Sequence, residues 1–210
     1  MDHHVGRLLQ ELGALGRDDD TYVLFTSDHG EELWDRGLFN HGHSLYEEQI
    51  WVPLICAGPD LPPRVVERSA AAVDVMPTLA GLLGVEADNA WQGKTVAPFL
   101  AGRQADAAPS PCCIQGTNFT ASEPQQTTIS SPYKLIRFAE SGRIELYDLA
   151  RDPREQHNLA KAEPRRADAL EEQLADWAAS FPSGFEPVET LDGDQAEMLE
   201  RLRAVGYLGE

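Results

Sequence analysis

The spacing of hydrophobic positions changes along the chain, and each change marks an expected element. Apolar residues recur every three or four positions in residues 3–15, so this stretch is predicted to form an amphipathic helix. Residues 21–26 and 50–56 are short runs rich in apolar and β-branched side chains, which is typical of buried strands. Helical spacing returns in residues 74–83, where Gly84 is a fitting stop. Strands that alternate with helices in this way predict an α/β fold.

The second half of the chain has shorter apolar runs separated by turn residues. Residues 133–138 and 143–148 are joined by a tight turn and are predicted to form an antiparallel hairpin within the strand-rich stretch 112–150. Residues 164–179 place their apolar side chains on one helical face. We therefore expect this helix to pack against a small antiparallel sheet.

A composition change suggests where the two patterns meet. Residues 101–111 are rich in Ala, Pro and Gly, which is typical of a linker. We therefore predict two domains, residues 1–104 and residues 105–210. The first is expected to hold strands 21–26 and 50–56 in one largely parallel sheet.

The overall charge excludes some classes of partner. The 210 residues include 35 acidic and 17 basic ones, which gives a formal net charge of −18. Such a field repels nucleic acids and anionic membrane surfaces. No apolar run is long enough for a membrane span, and the N-terminus lacks the basic start and apolar core of a signal peptide, so as written the chain is expected to be cytoplasmic. An enzyme for anionic esters would need a local positive site, which a bound metal ion can supply.

A carboxylate and an imidazole follow the first predicted strand directly. They are Asp28 and His29, and ligands gather at the carboxyl ends of strands in open α/β sheets. Two further histidines, His41 and His43, follow twelve to fourteen residues later. We expect Asp28 and His29 to share a cleft with His41 or His43, although an isolated Asp–His pair is more often part of a turn.

Several spaced motifs in one order resemble the sulfatases of the alkaline phosphatase superfamily. These motifs are SDHGEE at residues 27–32, HGHSLYEE at 41–48, VPLI at 52–55, DVMPTLAGLLGV at 74–85, the YDL and DPREQHNL segments within 147–159, and LRAVGYLG at 202–209. The resemblance covers nearly the whole chain, but only the latter part of the family's domain. It implies an alkaline-phosphatase-like, partly parallel sheet with helices that is truncated here, followed by a small C-terminal antiparallel sheet packed with a helix.

The resemblance also implies roles for the polar residues. Asp28 and His29 match the metal-binding pair of the family, whose metal is commonly Ca²⁺, while an imidazole ligand leaves Mn²⁺, Mg²⁺ or Zn²⁺ open. The family places a lysine ahead of the LYEE segment, but the first lysine here is Lys94. His43 or His41 would then act as a protonated donor to the anionic group, as the general acid that protonates the leaving alcohol, or as a metal ligand, with His43 favoured because it is nearer the matching position. Independently of the resemblance, four acidic residues of this region are expected to be solvated charges or helix caps: Glu31, Glu32, Glu47 and Glu48.

Two features of the family are missing from this sequence. Its nucleophile, a formylglycine made from Cys or Ser in a C/S-x-P/A-x-R motif, has no counterpart, and neither does its N-terminal pair of metal-binding aspartates. We therefore expect the chain alone to hydrolyse no sulfate ester, and to need a separate N-terminal half or to self-associate. Three functions stay open: a sulfatase fragment acting on small-molecule or glycan sulfate esters, a phosphoric ester or phosphonate hydrolase or phosphoethanolamine-type transferase of the same superfamily, and a non-catalytic remnant or binding module.

Overall fold

The computed structural model describes residues 1–103, 111–116 and 123–180. The helices in these ranges are α1 (Asp2–Ala14), α2 (Glu47–Ile50), α3 (Val75–Leu83), α4 (Ala97–Leu100) and α5 (Pro164–Ala179). The strands are β1 (Val23–Thr26), β2 (Glu32–Leu33), β3 (Phe39–Asn40), β4 (Leu54–Ala57), β5 (Cys112–Gly116), β6 (Gln125–Ser130), β7 (Tyr133–Phe138) and β8 (Ile144–Asp148). Among the helices in these ranges, none is long and apolar enough to cross a membrane.

The chain divides into two compact units that interleave along the sequence. The first contains Met1–Asp28 and Val52–Pro109, and the second contains His29–Trp51 and Ser110–Glu210. The histidine-bearing stretch therefore belongs with the C-terminal sheet. The domain boundary between residues 104 and 105 lies outside the described residues and stays a prediction, as does the motif at 202–209.

The first unit contains a two-stranded sheet in which β1 and β4 are antiparallel. Thr26 pairs with Leu54 and Val23 with Ala57, so the expected parallel pairing of these strands is wrong. A parallel pair needs a crossover of a dozen or more residues, usually a long helix. Between β1 and β4 the chain forms the β2–β3 hairpin and the four-residue helix α2, and no long crossover helix of the kind that usually joins parallel strands.

The helices of the first unit follow the sequence pattern closely. Helix α1 begins and ends within one residue of its predicted bounds. Helix α3 ends at Leu83 and is followed by Gly84, whose φ of 67° lies in the left-handed region that a glycine adopts without steric cost. The helical spacing of the apolar residues was sufficient to predict both elements.

The second unit is built on a four-stranded antiparallel sheet in the order β5-β6-β7-β8. The predicted hairpin is confirmed, because β7 and β8 pair from Tyr133 with Asp148 to Arg137 with Ile144. Helix α5 packs on one face of this sheet, as predicted. The buried core between them consists of Leu135, Leu146, Ala167, Leu170 and Leu174.

The opposite face of this sheet is covered by the segment that precedes α2. Successive strand residues point to opposite faces, so Ile136 and Tyr147 face away from α5. They are buried together with Phe138, and Tyr46 packs against them. The sheet therefore packs against α5 on one face and against the histidine-bearing segment, residues 29–46, on the other. The predicted α/β class with a C-terminal antiparallel sheet and helix is confirmed.

Candidate metal centre

A short hairpin brings the two histidine motifs together. Strands β2 and β3 pair with Glu32 opposite Asn40 and Leu33 opposite Phe39. Extending this register by one residue places Glu31 opposite His41, and the two side chains meet, with His41 Nδ1 3.3 Å from Glu31 Oε2. The loop after β1 and the loop after β3 therefore converge at one end of the hairpin.

His29, Glu31 and His41 form a compact group of possible metal ligands. One nitrogen or oxygen atom from each side chain lies within 4.8 Å of the other two. The imidazole rings of His29 and His41 are stacked, with their centroids 3.9 Å apart. Two imidazoles and one carboxylate are a common donor set for a divalent transition metal or zinc.

The protonation of His29 suits this role. Its Nδ1 lies 2.7 Å from the carbonyl oxygen of Gly30. A carbonyl can only accept a hydrogen bond, so Nδ1 carries the proton and the neutral ring has its lone pair on Nε2. Metal-binding histidines usually donate their second ring N–H to a carbonyl or carboxylate in this way. These residues therefore fit a divalent cation.

The other two predicted residues lie outside this group. Asp28 follows the end of β1 in the first unit, and the Ser27 hydroxyl donates a hydrogen bond of 3.4 Å to its Oδ1. His43 Nε2 lies 3.0 Å from the carbonyl oxygen of Phe39 and therefore donates to it. The structure brings His41 against His29. The metal role of Asp28 and the acid role of His43 stay predictions.

Helix α2 is hydrogen-bonded to both ends of residues 29–42, which carry the three possible ligands and are called the ligand loop below. The backbone N–H of Gly30 donates to the Gln49 carbonyl at 2.7 Å, and the N–H of Glu31 donates to the Glu48 carbonyl at 3.0 Å. The N–H of Gly42 donates to the Gln49 side-chain oxygen at 2.8 Å. Gln49 thus joins the residue after His29 to the residue after His41.

Glu32 supports the same loop from inside the unit. It is fully buried, so the expectation of a solvated charge is wrong for this residue. Its Oε1 accepts hydrogen bonds from the Ser44 hydroxyl at 2.6 Å and from the Gln49 amide at 2.9 Å. Buried carboxylates need such partners, and these partners come from α2 and the residues just before it.

Sequence reasoning missed Glu31 as a possible ligand. The motif SDHGEE is distinguished by its Asp–His pair, and the sequence alone predicts a solvated charge at Glu31. The available signal was the spacing of His29 and Glu31, because residues two apart in an extended segment point to the same side. The position of His41 opposite Glu31 depends on the hairpin register, which the sequence pattern did not predict.

Comparison with known proteins supports the family resemblance. Residues 1–85 match the family model described as Sulfatase. The choline-sulfatase of Rhizobium meliloti is 31% identical over 164 residues, which cover 77% of this chain and 31% of that protein. The N-acetylglucosamine-6-O-sulfatase of Bacteroides thetaiotaomicron is 29% identical over 217 residues, which cover 96% of this chain and 38% of that protein.

A solved structure extends the similarity to the fold. The phosphonate monoester hydrolase of Agrobacterium radiobacter superimposes with a TM-score of 0.72 at 28% identity, covering 85% of this chain and 39% of that one. This architecture is that of the alkaline-phosphatase-like class. Within the class, the chain is similar to part of the sulfatases, matching their family model over residues 1–85. It spans 31% to 38% of the length of the two curated relatives described above.

Proposed function

We propose that this chain is part of a metal-dependent sulfuric ester hydrolase, in which His29, Glu31 and His41 bind a divalent cation. The observation that carries the proposal is the convergence of these three side chains within 4.8 Å, inside the segment that matches the sulfatase family. The names of the two curated relatives point to choline and sugar sulfates. Small-molecule or glycan sulfate esters are therefore the proposed substrate class.

The residues of the site divide into ligands and a proton donor. A bound cation would stabilise negative charge on the nonbridging oxygens of the ester. Glu31 orients His41 through the 3.3 Å contact at Nδ1, and His29 is oriented by its bond to the Gly30 carbonyl. His43, whose ring is anchored by the bond from Nε2 to the Phe39 carbonyl, is the proposed proton donor to the leaving alcohol.

The donor set favours some metals over others. Ca²⁺ prefers six to eight oxygen ligands, whereas imidazole suits Zn²⁺ and Mn²⁺. We therefore propose Zn²⁺ or Mn²⁺ for the group formed by His29, Glu31 and His41. Asp28 would add a carboxylate, as the family motif implies.

Metal binding by the 210-residue chain tests this proposal. We expect calorimetric titration to detect Zn²⁺ or Mn²⁺ binding that is lost in His29→Ala, Glu31→Gln and His41→Ala. The control is His4→Ala, because His4 is exposed on α1 in the other unit. Binding that survives all three substitutions would refute the site.

Hydrolysis by the isolated chain is expected to be absent. Covalent catalysis needs an activated nucleophile within reach, and the sequence has no match to the family's nucleophile motif. Aryl sulfate and aryl phosphate should both remain intact when the metal-loaded chain is added. Metal-dependent turnover that Asp28→Ala abolishes would show that the nucleophile lies within this chain.

A phosphonate or phosphate ester hydrolase is the second candidate. It is favoured by the structural similarity to the phosphonate monoester hydrolase, with its TM-score of 0.72. Competition between inorganic sulfate and phenylphosphonate for the metal-loaded chain distinguishes the two candidates. Tighter binding of phenylphosphonate would favour this second function, and failure to bind any metal would favour a non-catalytic role.

A further inference from the structure

A buried ion pair lies between the C-terminal sheet and helix α2. Lys134 on β7 is fully buried, and its Nζ lies 2.7 Å from Glu155 Oε1 and 2.8 Å from Glu47 Oε1. The Glu155 side chain is also fully buried. Burial raises the pKa of Glu155, and the neighbouring Lys134 ammonium opposes this shift. All three residues belong to the second unit.

Glu155 contacts both helix α2 and the turn of the β2–β3 hairpin. Its Oε2 accepts a hydrogen bond of 2.8 Å from the backbone N–H of Glu47, the first residue of α2. The same oxygen lies 3.2 Å from Nη2 of Arg36, in the turn of the β2–β3 hairpin. One carboxylate therefore holds both the start of α2 and the hairpin that carries Glu31 and His41.

The backbone at Glu155 indicates that this position is constrained. Its φ of 52° is in the left-handed region, which costs a non-glycine residue roughly 1 kcal/mol or more. Buried ion pairs also contribute little net stability compared with apolar residues of similar volume. Stability alone therefore explains this arrangement poorly, whereas directional hydrogen bonds to Glu47 and Arg36 explain it well.

Helix α2 connects Glu155 to the proposed ligands through hydrogen bonds accepted by Gln49. Gln49, two residues after Glu47, accepts the Gly30 N–H with its backbone carbonyl and the Gly42 N–H with its side chain. Because Gly30 and Gly42 are bonded to different groups of Gln49, a rotation of α2 would move these two residues by different amounts. The distance between His29 and His41 therefore depends on the orientation of α2.

We infer that Lys134 and Glu155 are positioning residues of the candidate metal centre and act on it through α2. The inference rests on the proposed metal-binding role of His29, Glu31 and His41. Loss of outer partners of metal ligands typically weakens metal binding by about 10- to 100-fold. We expect a loss of this size when Glu155 is replaced, because its hydrogen bonds to Glu47 and Arg36 hold α2 and the β2–β3 hairpin.

Co²⁺ binding to the 210-residue chain tests this inference, because its visible absorption reports the geometry of the ligands. Glu155→Gln should weaken Co²⁺ binding by about 10- to 100-fold and change the absorption band. The double variant Lys134→Met with Glu155→Gln removes both fully buried charges together, and the Glu47 and Arg36 side chains that lose a partner are partly exposed, so it should fold even where the single variant does not. It should show the same weakened binding and altered band.

Leu174→Ala is the matched control for general destabilisation. Leu174 is buried under the other face of the same sheet, so its truncation lowers stability without touching α2. Co²⁺ affinity should stay within about threefold of the wild type in this folded variant, since distant sites act independently. Equal losses in Leu174→Ala and in the double variant would overturn the inference.

The remaining outcomes separate the inference from the proposed function. If the wild-type chain binds Co²⁺ and the folded double variant binds it equally well with the same band, Lys134 and Glu155 do not position the site. If the wild-type chain binds no Co²⁺, the proposed metal centre itself is refuted, and the inference falls with it.

Discussion

Gly30 shows how one residue type sets the geometry of the candidate metal centre. It lies between His29 and Glu31, and its backbone N–H donates to the Gln49 carbonyl at 2.7 Å. A Cβ atom at this position would overlap the carbonyl oxygen of Glu48. The glycine is therefore required for close approach of the loop to α2.

We expect Gly30→Ala to separate the ligand loop from α2. Metal affinity should fall by about tenfold or more, because the partner that orients His29 is displaced. Titration with Zn²⁺ measures this effect, and Gly6→Ala is the control because nothing lies within 4 Å of the added Cβ on α1. Unchanged Zn²⁺ affinity in Gly30→Ala would show that the loop does not need this approach.

Two tyrosines with raised pKa values are expected to make the stability of the fold depend on pH. The hydroxyls of Tyr46 and Tyr147 both donate to Glu145 Oε2, at 2.7 and 2.9 Å. Burial, followed by the Glu145 carboxylate, raises the pKa of both tyrosines. In the unfolded chain they ionise near pH 10, so the folded state binds more protons above that pH.

The stabilising contribution of these tyrosines is therefore present below about pH 10 and lost as the pH rises through their raised pKa values. Urea unfolding should show a fall in the free energy of unfolding above about pH 10. The fall should be smaller in the double variant Tyr46→Phe with Tyr147→Phe. An identical alkaline fall in this variant and in the wild type would contradict the assignment.

At the level of elements, helix α5 is the main support of the C-terminal sheet. Leu170 and Leu174 are buried against Leu135 and Leu146. Leu170→Ala should lower the free energy of unfolding by about 2–5 kcal/mol, because it removes buried methyl groups and leaves a cavity. Urea denaturation measures this loss, and Gln173→Ala on the exposed face of α5 should change stability by less than about 0.5 kcal/mol. A similar small change for Leu170→Ala would mean that α5 does not cover the sheet in solution.

The elements also show which features the sequence pattern could predict. Helix α5 and the β7–β8 hairpin were predicted correctly because the spacing of apolar residues and the tight turn between strands are local signals. The direction of the β1–β4 pairing was not, because an apolar run has the same appearance in parallel and antiparallel sheets. In the candidate site, His29 and His41 were singled out from their motifs. Glu31 was missed because its role depends on a cross-strand neighbour.

At the level of the whole molecule, charge and exposed apolar surface have opposing effects. The net charge of −18 keeps copies of the chain apart. The β1–β4 sheet has only two strands among the described residues, and Ile55 on β4 is 58% exposed. A two-stranded sheet with an exposed apolar strand tends to pair with another edge.

We therefore expect the chain to self-associate, and to do so more strongly as added salt screens the repulsion. Sedimentation velocity over a range of protein and salt concentrations measures this association. Ile55→Lys should reduce it, whereas Val65→Lys, which changes an 87% exposed residue in a loop, should have little effect. A chain that remains monomeric at high salt and high concentration would contradict this expectation.

Because the second unit is discontinuous in sequence, some contacts of the ligand loop can form only late in synthesis. Glu47 is held by Lys134, 87 residues later in the chain, and by Glu155, 108 residues later. During synthesis the ligand loop emerges from the ribosome well before either residue exists. Until the intervening residues are translated, the loop has its local hydrogen bonds to Glu48 and Gln49 but not the buried ion pair that anchors α2. A polypeptide interrupted before residue 155 would contain every proposed metal ligand and still lack the Glu155 contacts to Glu47 and Arg36.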